Sequence, residues 1–267
     1  MLFKCDPYQY YSIRPNMLLS ASSGNINLGK NAAEKISAER GFDWKIINEI
    51  PIDECHESLE IITNSNKLKQ KSVYYLAGIQ GSIEYCMVRK SVAEKLRIAS
   101  QLLPAHLGIL VLDGWRSRET QQALQEITQA KIAEQYTELS AEEQQRLLQQ
   151  FVAPVPVGKN QISPHLTGGA VDVTLFDMES GHALFLGTEF DEVNELSYTA
   201  ALEKAPEKNM PATLYRRLLY RVMKQVGFTN LPTEWWHYDY GNSMWAFYNH
   251  RTAIYGAIDE TSYYLKK

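Results

Sequence analysis

Apolar positions recur along this chain with two different periods, and the switch from one to the other marks out its elements. After Ser91, the residues Val92, Leu96, Ala99 and Leu103 fall at i, i+4, i+7 and i+11, which predicts a helix capped by Ser91 and ended by Pro104. Gly108-Ile109-Leu110-Val111-Leu112 then forms an unbroken apolar run, the pattern of a short strand buried on both faces. Later, Val171, Val173 and Leu175 alternate with Asp172, Thr174 and Phe176, which predicts a strand that directs Asp172 to one face. Leu218, Leu219, Val222 and Val226 share one face of a helix over about 212–226, with Gly227 at its C′ position. Upstream, Ser72 to Leu76 and Ile83 to Val88 read as two strands around a turn at Gly78 to Gly81, and Trp235 to Tyr240 reads as an aromatic strand.

Between these segments, residues 117–152 are rich in Gln, Glu, Ala and Leu, and read as two solvated helices, the second opened by a capping box at Ser140-Ala141-Glu142-Glu143. Residues 189–195 read as an acidic loop. Residues 1–50 contain the small polar run Ser20 to Asn25 and one short helical stretch, Ala32 to Arg40, stopped by Gly41. They are expected to form an extension packed on the domain or capping its site, and residues 51–267 the domain itself. The expected fold is α+β, with a small, mainly antiparallel sheet that carries the functional groups and helices packed on its back.

Composition changes this picture in four ways. With 267 residues, 45% of them hydrophobic, the chain can bury the core of one domain with additions. A net charge of −4 and the lack of any basic run argue against nucleic acid as a partner. No run approaches the roughly 20 apolar residues of a membrane span, and Met1 to Tyr8 lack a signal-peptide core. Cys5, Cys55 and Cys86 are far apart and contain no CxxC pair, which favours a reducing compartment and makes the cytoplasm the expected location. Nothing in the sequence speaks for or against self-association.

The candidate chemistry lies in Ser163-Pro164-His165-Leu166-Thr167-Gly168-Gly169-Ala170-Val171-Asp172 and in Glu234-Trp235-Trp236-His237. Two imidazoles and a carboxylate, His165, Asp172 and His237, form the ligand set of a catalytic zinc, because three protein ligands leave a fourth tetrahedral position open. Gly168-Gly169 lets the backbone turn between His165 and the Asp172 strand, so that both converge on one ion. Pro164 holds Ser163 in extended geometry.

These motifs together, SxHxxGxAxD followed by ExWH, are similar to those of the zinc D,D-peptidases. The resemblance is strongest to the VanX-type D-alanyl-D-alanine dipeptidases. It extends to Asp113-Gly114-Trp115-Arg116 and to Gly187-Thr188-Glu189-Phe190-Asp191, and covers roughly residues 50 to 248. The resemblance implies one zinc ion, a small dipeptide substrate and hydrolysis of its peptide bond. In such a site Glu234 is the candidate general base, able to take a proton from water and pass it to the departing amine. Residues three apart on a regular strand face opposite ways, so Glu234 is expected in the turn after Pro232 and His237 in the strand. Arg116 matches the arginine that stabilises the developing oxyanion in the family. Ser163 and Asp191 occupy motif positions that lie close to the dipeptide, where Asp191 suits a free ammonium. From the residues alone, a loop-capping serine and a solvated acid remain equally open. Two other readings are a D,D-carboxypeptidase or peptidoglycan endopeptidase of the same superfamily, and a non-catalytic zinc-binding module. The presence of both Glu234 and Arg116 favours catalysis over the latter.

Overall fold

The computed structural model describes residues 32–38, 41–153 and 162–259. Their architecture is α+β, arranged around a five-stranded sheet. The chain begins with α1 (Trp44–Asn48), followed by β1 (Leu59–Ile61), β2 (Leu68–Gln70), α2 (Val73–Leu76), β3 (Met87–Arg89) and α3 (Lys90–Leu102). It continues with β4 (Leu107–Asp113), α4 (Arg118–Gln135), α5 (Ala141–Phe151) and β5 (Ala170–Asp177). It ends with α6 (Ala212–Gln225), β6 (Thr229–Asn230), β7 (His237–Asp239) and α7 (Ser243–Asn249). The main sheet runs β2-β4-β5-β7-β6, with β2 parallel to β4 and the other pairings antiparallel, while β1 and β3 form a separate antiparallel ribbon.

Strand alternation divides this sheet into an apolar face and a chemical face. Val171, Val173 and Leu175 of β5 lie beside Ile109 and Val111 of β4, all fully buried, in one core with Val92, Leu96 and Ala99 of α3 and Leu218, Leu219 and Val222 of α6. Each such valine, leucine or isoleucine contributes roughly 1.5–3 kcal/mol by leaving water, so α3 and α6 are held on the back of the sheet by the same residues whose periodicity predicts them. The opposite face carries Asp113, Asp172 and His237. Asp113 is in register with Asp172, which is in register with His237, so one row across three strands brings them side by side. A register shift between Val111 and Asp113 adjusts the end of β4 where this row begins.

The Ser140 capping box forms as its sequence predicts, with the Ser140 and Glu143 side chains exchanging bonds with each other's backbone amides. Gly227 ends α6 with φ +96, and Trp235 and Trp236 are buried in the main core. No helix of the described residues is long and apolar enough to cross a membrane.

Five expectations need correction. Ser91 does not cap α3, which starts at Lys90 with Arg89 at its N-cap, and the Ser91 hydroxyl donates to Glu57 instead. Ser72 to Leu76 is a helical turn, because Val73 and Tyr74 point inward while Tyr75 and Leu76 point out, a contiguous division that a strand cannot produce. The strand expected from Ile83 is confined to Met87–Arg89, since the consecutive residues Glu84 and Tyr85 are both exposed. Of the Ala32 to Arg40 helix, the described residues 32–38 form only a turn at 32–34 followed by irregular chain. Their backbone groups are taken by distant partners: Ile36 N donates to Glu203 Oε1, Arg221 donates to the Lys35 carbonyl, and Arg217 donates to the Ala32 carbonyl. The aromatic strand shortens to His237–Asp239, with Trp235 and Trp236 in the turn before it. The polar run Ser20 to Asn25 and Cys5 lie outside the described residues.

The Gly169 turn is a close approach that a side chain would disrupt. A Cβ at this position would lie 2.5 Å from the Tyr240 carbonyl oxygen, in a backbone that itself pairs with Tyr240 N. Gly169→Ala is expected to lower stability by about 1–3 kcal/mol, the cost of overpacking. Denaturant unfolding checks this, and an unchanged midpoint would contradict it.

Candidate functional site

His165 lies in a 3₁₀ turn, Pro164–Thr167, that Pro164 opens at its first position and Gly168 closes in the left-handed region (φ +71). Ser163 before it is extended, as a residue preceding proline should be. His237 opens β7 directly after a turn that contains Glu234. This turn is clamped by Asn230, whose side-chain amide donates to the carbonyls of both Glu234 and His237. The turn frees Glu234 from strand geometry, and its Oε2 lies 3.8 Å from His237 Nδ1.

Three donor atoms converge at the centre. His165 Nε2 is 3.1 Å from His237 Nδ1, His237 Nδ1 is 3.2 Å from Asp172 Oδ1, and His165 Nε2 is 3.5 Å from Asp172 Oδ2. The remaining ring nitrogens are engaged by the scaffold. His165 Nδ1 lies 2.7 Å from the Gly114 carbonyl oxygen, an acceptor only, so the proton of the neutral ring sits on Nδ1. His237 Nε2 lies 3.1 Å from Asp239 Oδ2, and Asn242 holds the other oxygen of that carboxylate at 2.6 Å. With both rings neutral, their remaining nitrogens face each other and a carboxylate as lone pairs. A proton on His237 or a metal cation among them relieves the repulsion between these lone pairs. Zinc–nitrogen bonds of about 2.0–2.1 Å in tetrahedral geometry would separate ligand atoms by roughly 3.3–3.4 Å, which is close to the spacing found. The donor set fits a divalent metal, and His165, Asp172 and His237 form a possible metal site.

The electrostatics agree. Burial alone would raise the Asp172 carboxyl, but His165 and His237 overcome it and hold the group far below the usual range. Burial lowers His237, yet Asp239 and Asp172 raise it well above an ordinary histidine. Burial pushes Glu234 well above the usual carboxylate range, with Asp172 and Asp191 adding to the shift. Desolvation likewise raises Asp113 and Asp191. A buried group of carboxyls and imidazoles with this pattern is the environment in which a positive ion is stabilised.

Arg116 sits in the same pocket. Its Nε donates to Asp113 Oδ2 at 2.8 Å, Nη1 to Gln121 Oε1 at 3.0 Å and Nη2 to Asp172 Oδ2 at 3.2 Å. It is thus paired with Asp113, as a purely structural arginine would be, but the pairing holds it against the candidate ligand Asp172. Three of its five N–H donors are used in these bonds, and Nη2 also lies 2.8 Å from Asp113 Oδ2. Ser163 Oγ donates to Gln121 Oε1 at 3.2 Å. Asp191, in the left-handed region at φ +63, accepts from Tyr74 Oη at 3.1 Å. All seven residues singled out from the sequence line this one pocket.

Sequence reasoning missed Tyr74, Gln121 and Asp239 as parts of the site. Asp239 follows His237 by two residues in one strand and so shares its face, a signal available in the sequence. Tyr74 was hidden by the misread strand, and Gln121 on the first turn of α4 carries no motif.

The chain matches the M15 peptidase family described as D-ala-D-ala dipeptidase over residues 65–255. A D-alanyl-D-alanine dipeptidase of Synechocystis sp. is 30% identical over 237 residues, covering 79% of this chain and 95% of the relative. Enzymes of the same name from Escherichia coli and Enterococcus faecalis are 38% and 33% identical over shorter stretches. These stretches cover 34% and 28% of this chain, and 42% and 36% of those relatives.

Asp239 orients His237 from behind, so Asp239→Ala is expected to weaken divalent-metal binding by about 10–100-fold. Competition against a chelator measures this; equal affinity in the two proteins would show that the His237 ring needs no such support.

Proposed function

The chain belongs to the D-ala-D-ala dipeptidase family of M15 peptidases, and on that premise we propose that it is a zinc-dependent enzyme hydrolysing the peptide bond of D-alanyl-D-alanine. The observation that carries this reading is that Glu234 and Arg116 share one buried pocket with the His165, Asp172 and His237 donors. A non-catalytic binding module would need neither of them.

When bound, zinc would polarise the substrate carbonyl and supply a nucleophilic water near neutral pH. In this reading, His165, Asp172 and His237 hold the ion, and the chain's other residues handle protons and charge. Glu234 takes a proton from the attacking water as the new C–O bond forms, and delivers it to the amine as the C–N bond breaks, releasing two D-alanine molecules. Desolvation gives its carboxylate the high proton affinity that this task requires. Arg116 directs its remaining N–H donors to the carbonyl oxygen as that oxygen gains negative charge. Asp113 and Gln121 fix the guanidinium beforehand, so no reorganisation is needed during reaction.

Asp191 is the proposed partner of the substrate ammonium, aimed by Tyr74, and Ser163 a hydroxyl for the dipeptide backbone. An unpaired buried ammonium is costly, so a pocket with this carboxylate favours a free N-terminus. A cytoplasmic location is part of this proposal, supported by three widely spaced cysteines without a CxxC pair.

Two experiments test the reading. Glu234→Ala is expected to keep its metal and lose turnover of D-alanyl-D-alanine by about 10²–10⁴-fold, and Arg116→Lys to be poor because a point charge cannot replace directed donors. Near-normal kcat in either variant would remove that residue's role. N-acetyl-D-alanyl-D-alanine is expected to be cleaved far more slowly than the free dipeptide; if it is cleaved equally well, the carboxypeptidase reading replaces this one.

A further inference from the structure

Among the described residues lining the pocket, Trp44 alone comes from outside the 65–255 stretch that matches the family. It opens α1, a single helical turn whose N-cap Asp43 accepts from Lys45 N. This turn is anchored from two sides. Ile47 is buried against Leu231 and Met244, and the Trp44 indole Nε1 donates to the Gln149 carbonyl oxygen at 2.9 Å, in the last turn of α5. Leu231 leads into the turn that holds Glu234, whose amide donates to the Leu231 carbonyl at 3.0 Å. The same end of α5 is bonded to that turn directly, Thr233 Oγ1 donating to the Gln150 carbonyl at 2.8 Å. Trp44 therefore spans the join between α5 and the Glu234 turn; half-buried, it lines this pocket and also the larger cavity beside it.

We infer that Trp44 is a specificity-determining residue, closing the Glu234 side of the pocket so that a dipeptide fits and a longer D,D-peptide does not. The inference rests on the dipeptidase reading and deepens it. An indole suits the task because it is large, has only two side-chain torsions, and here has its polar end tied to backbone. Replacing it with a small side chain opens space for a third residue without removing any group assigned to proton transfer, charge stabilisation or metal binding.

The test compares kcat/KM for D-alanyl-D-alanine and D-alanyl-D-alanyl-D-alanine in the unaltered chain, Trp44→Ala and Trp44→Leu, with circular dichroism to establish folding. The leucine variant keeps the apolar packing of α1 and stands in if the alanine variant is unstable. The expected result is a tripeptide-to-dipeptide ratio raised by about tenfold or more in the variants, the scale of a steric pocket contact, with the dipeptide value falling less than the ratio rises. A folded variant with an unchanged ratio, or one in which both substrates decline together, would overturn the inference while leaving the dipeptidase reading intact. If the unaltered chain cleaves the tripeptide as fast as the dipeptide, Trp44 closes nothing; if it cleaves neither, the dipeptidase reading itself fails and takes this inference with it.

Discussion

Two imidazole nitrogens and a carboxylate face one another within 3.1–3.5 Å in a buried pocket, and the scaffold prevents them from turning away. Gly114 holds one ring by its far nitrogen and Asp239 holds the other, so the opposite edges must meet. A cation among them, a proton on His237 or a metal ion, offsets the repulsion and desolvation that this meeting costs. Much of the fold can be traced to this constraint. The Asp113, Asp172, His237 row needs three neighbouring strands in one register, and that register is held by the apolar residues on the reverse face, packed on α3 and α6.

The second requirement is that the groups proposed for proton transfer and charge stabilisation approach the same point from elements that the strands cannot supply. Glu234 achieves this from a turn clamped by Asn230, and Arg116 from the link between β4 and α4, pinned by Asp113 and Gln121. Both are rigidly held, which in an enzyme keeps catalytic groups from reorganising as the reaction proceeds. The acidic loop that carries Asp191 is fastened independently by Arg216, whose guanidinium donates to the carbonyls of Leu186, Leu196 and Tyr198. Burial pulls this arginine down to about 9, the consequence of placing a cation among neutral acceptors.

The parts legible in the sequence were those with local causes. The period of Val92, Leu96 and Ala99 revealed α3, the alternation around Asp172 revealed β5 and its two faces, and Ser140 with Glu143 revealed the start of α5. The candidate metal-site residues were legible because their types and spacing suit a single ion, and Glu234 could be placed in a turn because strand geometry forbade the alternative. What escaped had tertiary causes. Ser72 to Leu76 has strand-like composition, yet Tyr74 is drawn inward to Asp191 and the segment coils into a helical turn. Residues 32–38 have helical composition, yet Arg217, Arg221 and Glu203 claim their backbone groups. Gln121 and Trp44 join the pocket only through the packing of helices distant in sequence, which no local pattern encodes.

The central claim is that His165, Asp172 and His237 together bind one catalytic zinc ion. Elemental analysis of the purified chain beside Asp172→Ala tests it most directly. The account predicts about one zinc per unaltered chain and no stoichiometric metal in the variant, because two imidazoles alone leave the ion under-coordinated. Full zinc occupancy in Asp172→Ala, or an unaltered chain that binds none when zinc is supplied, would contradict it.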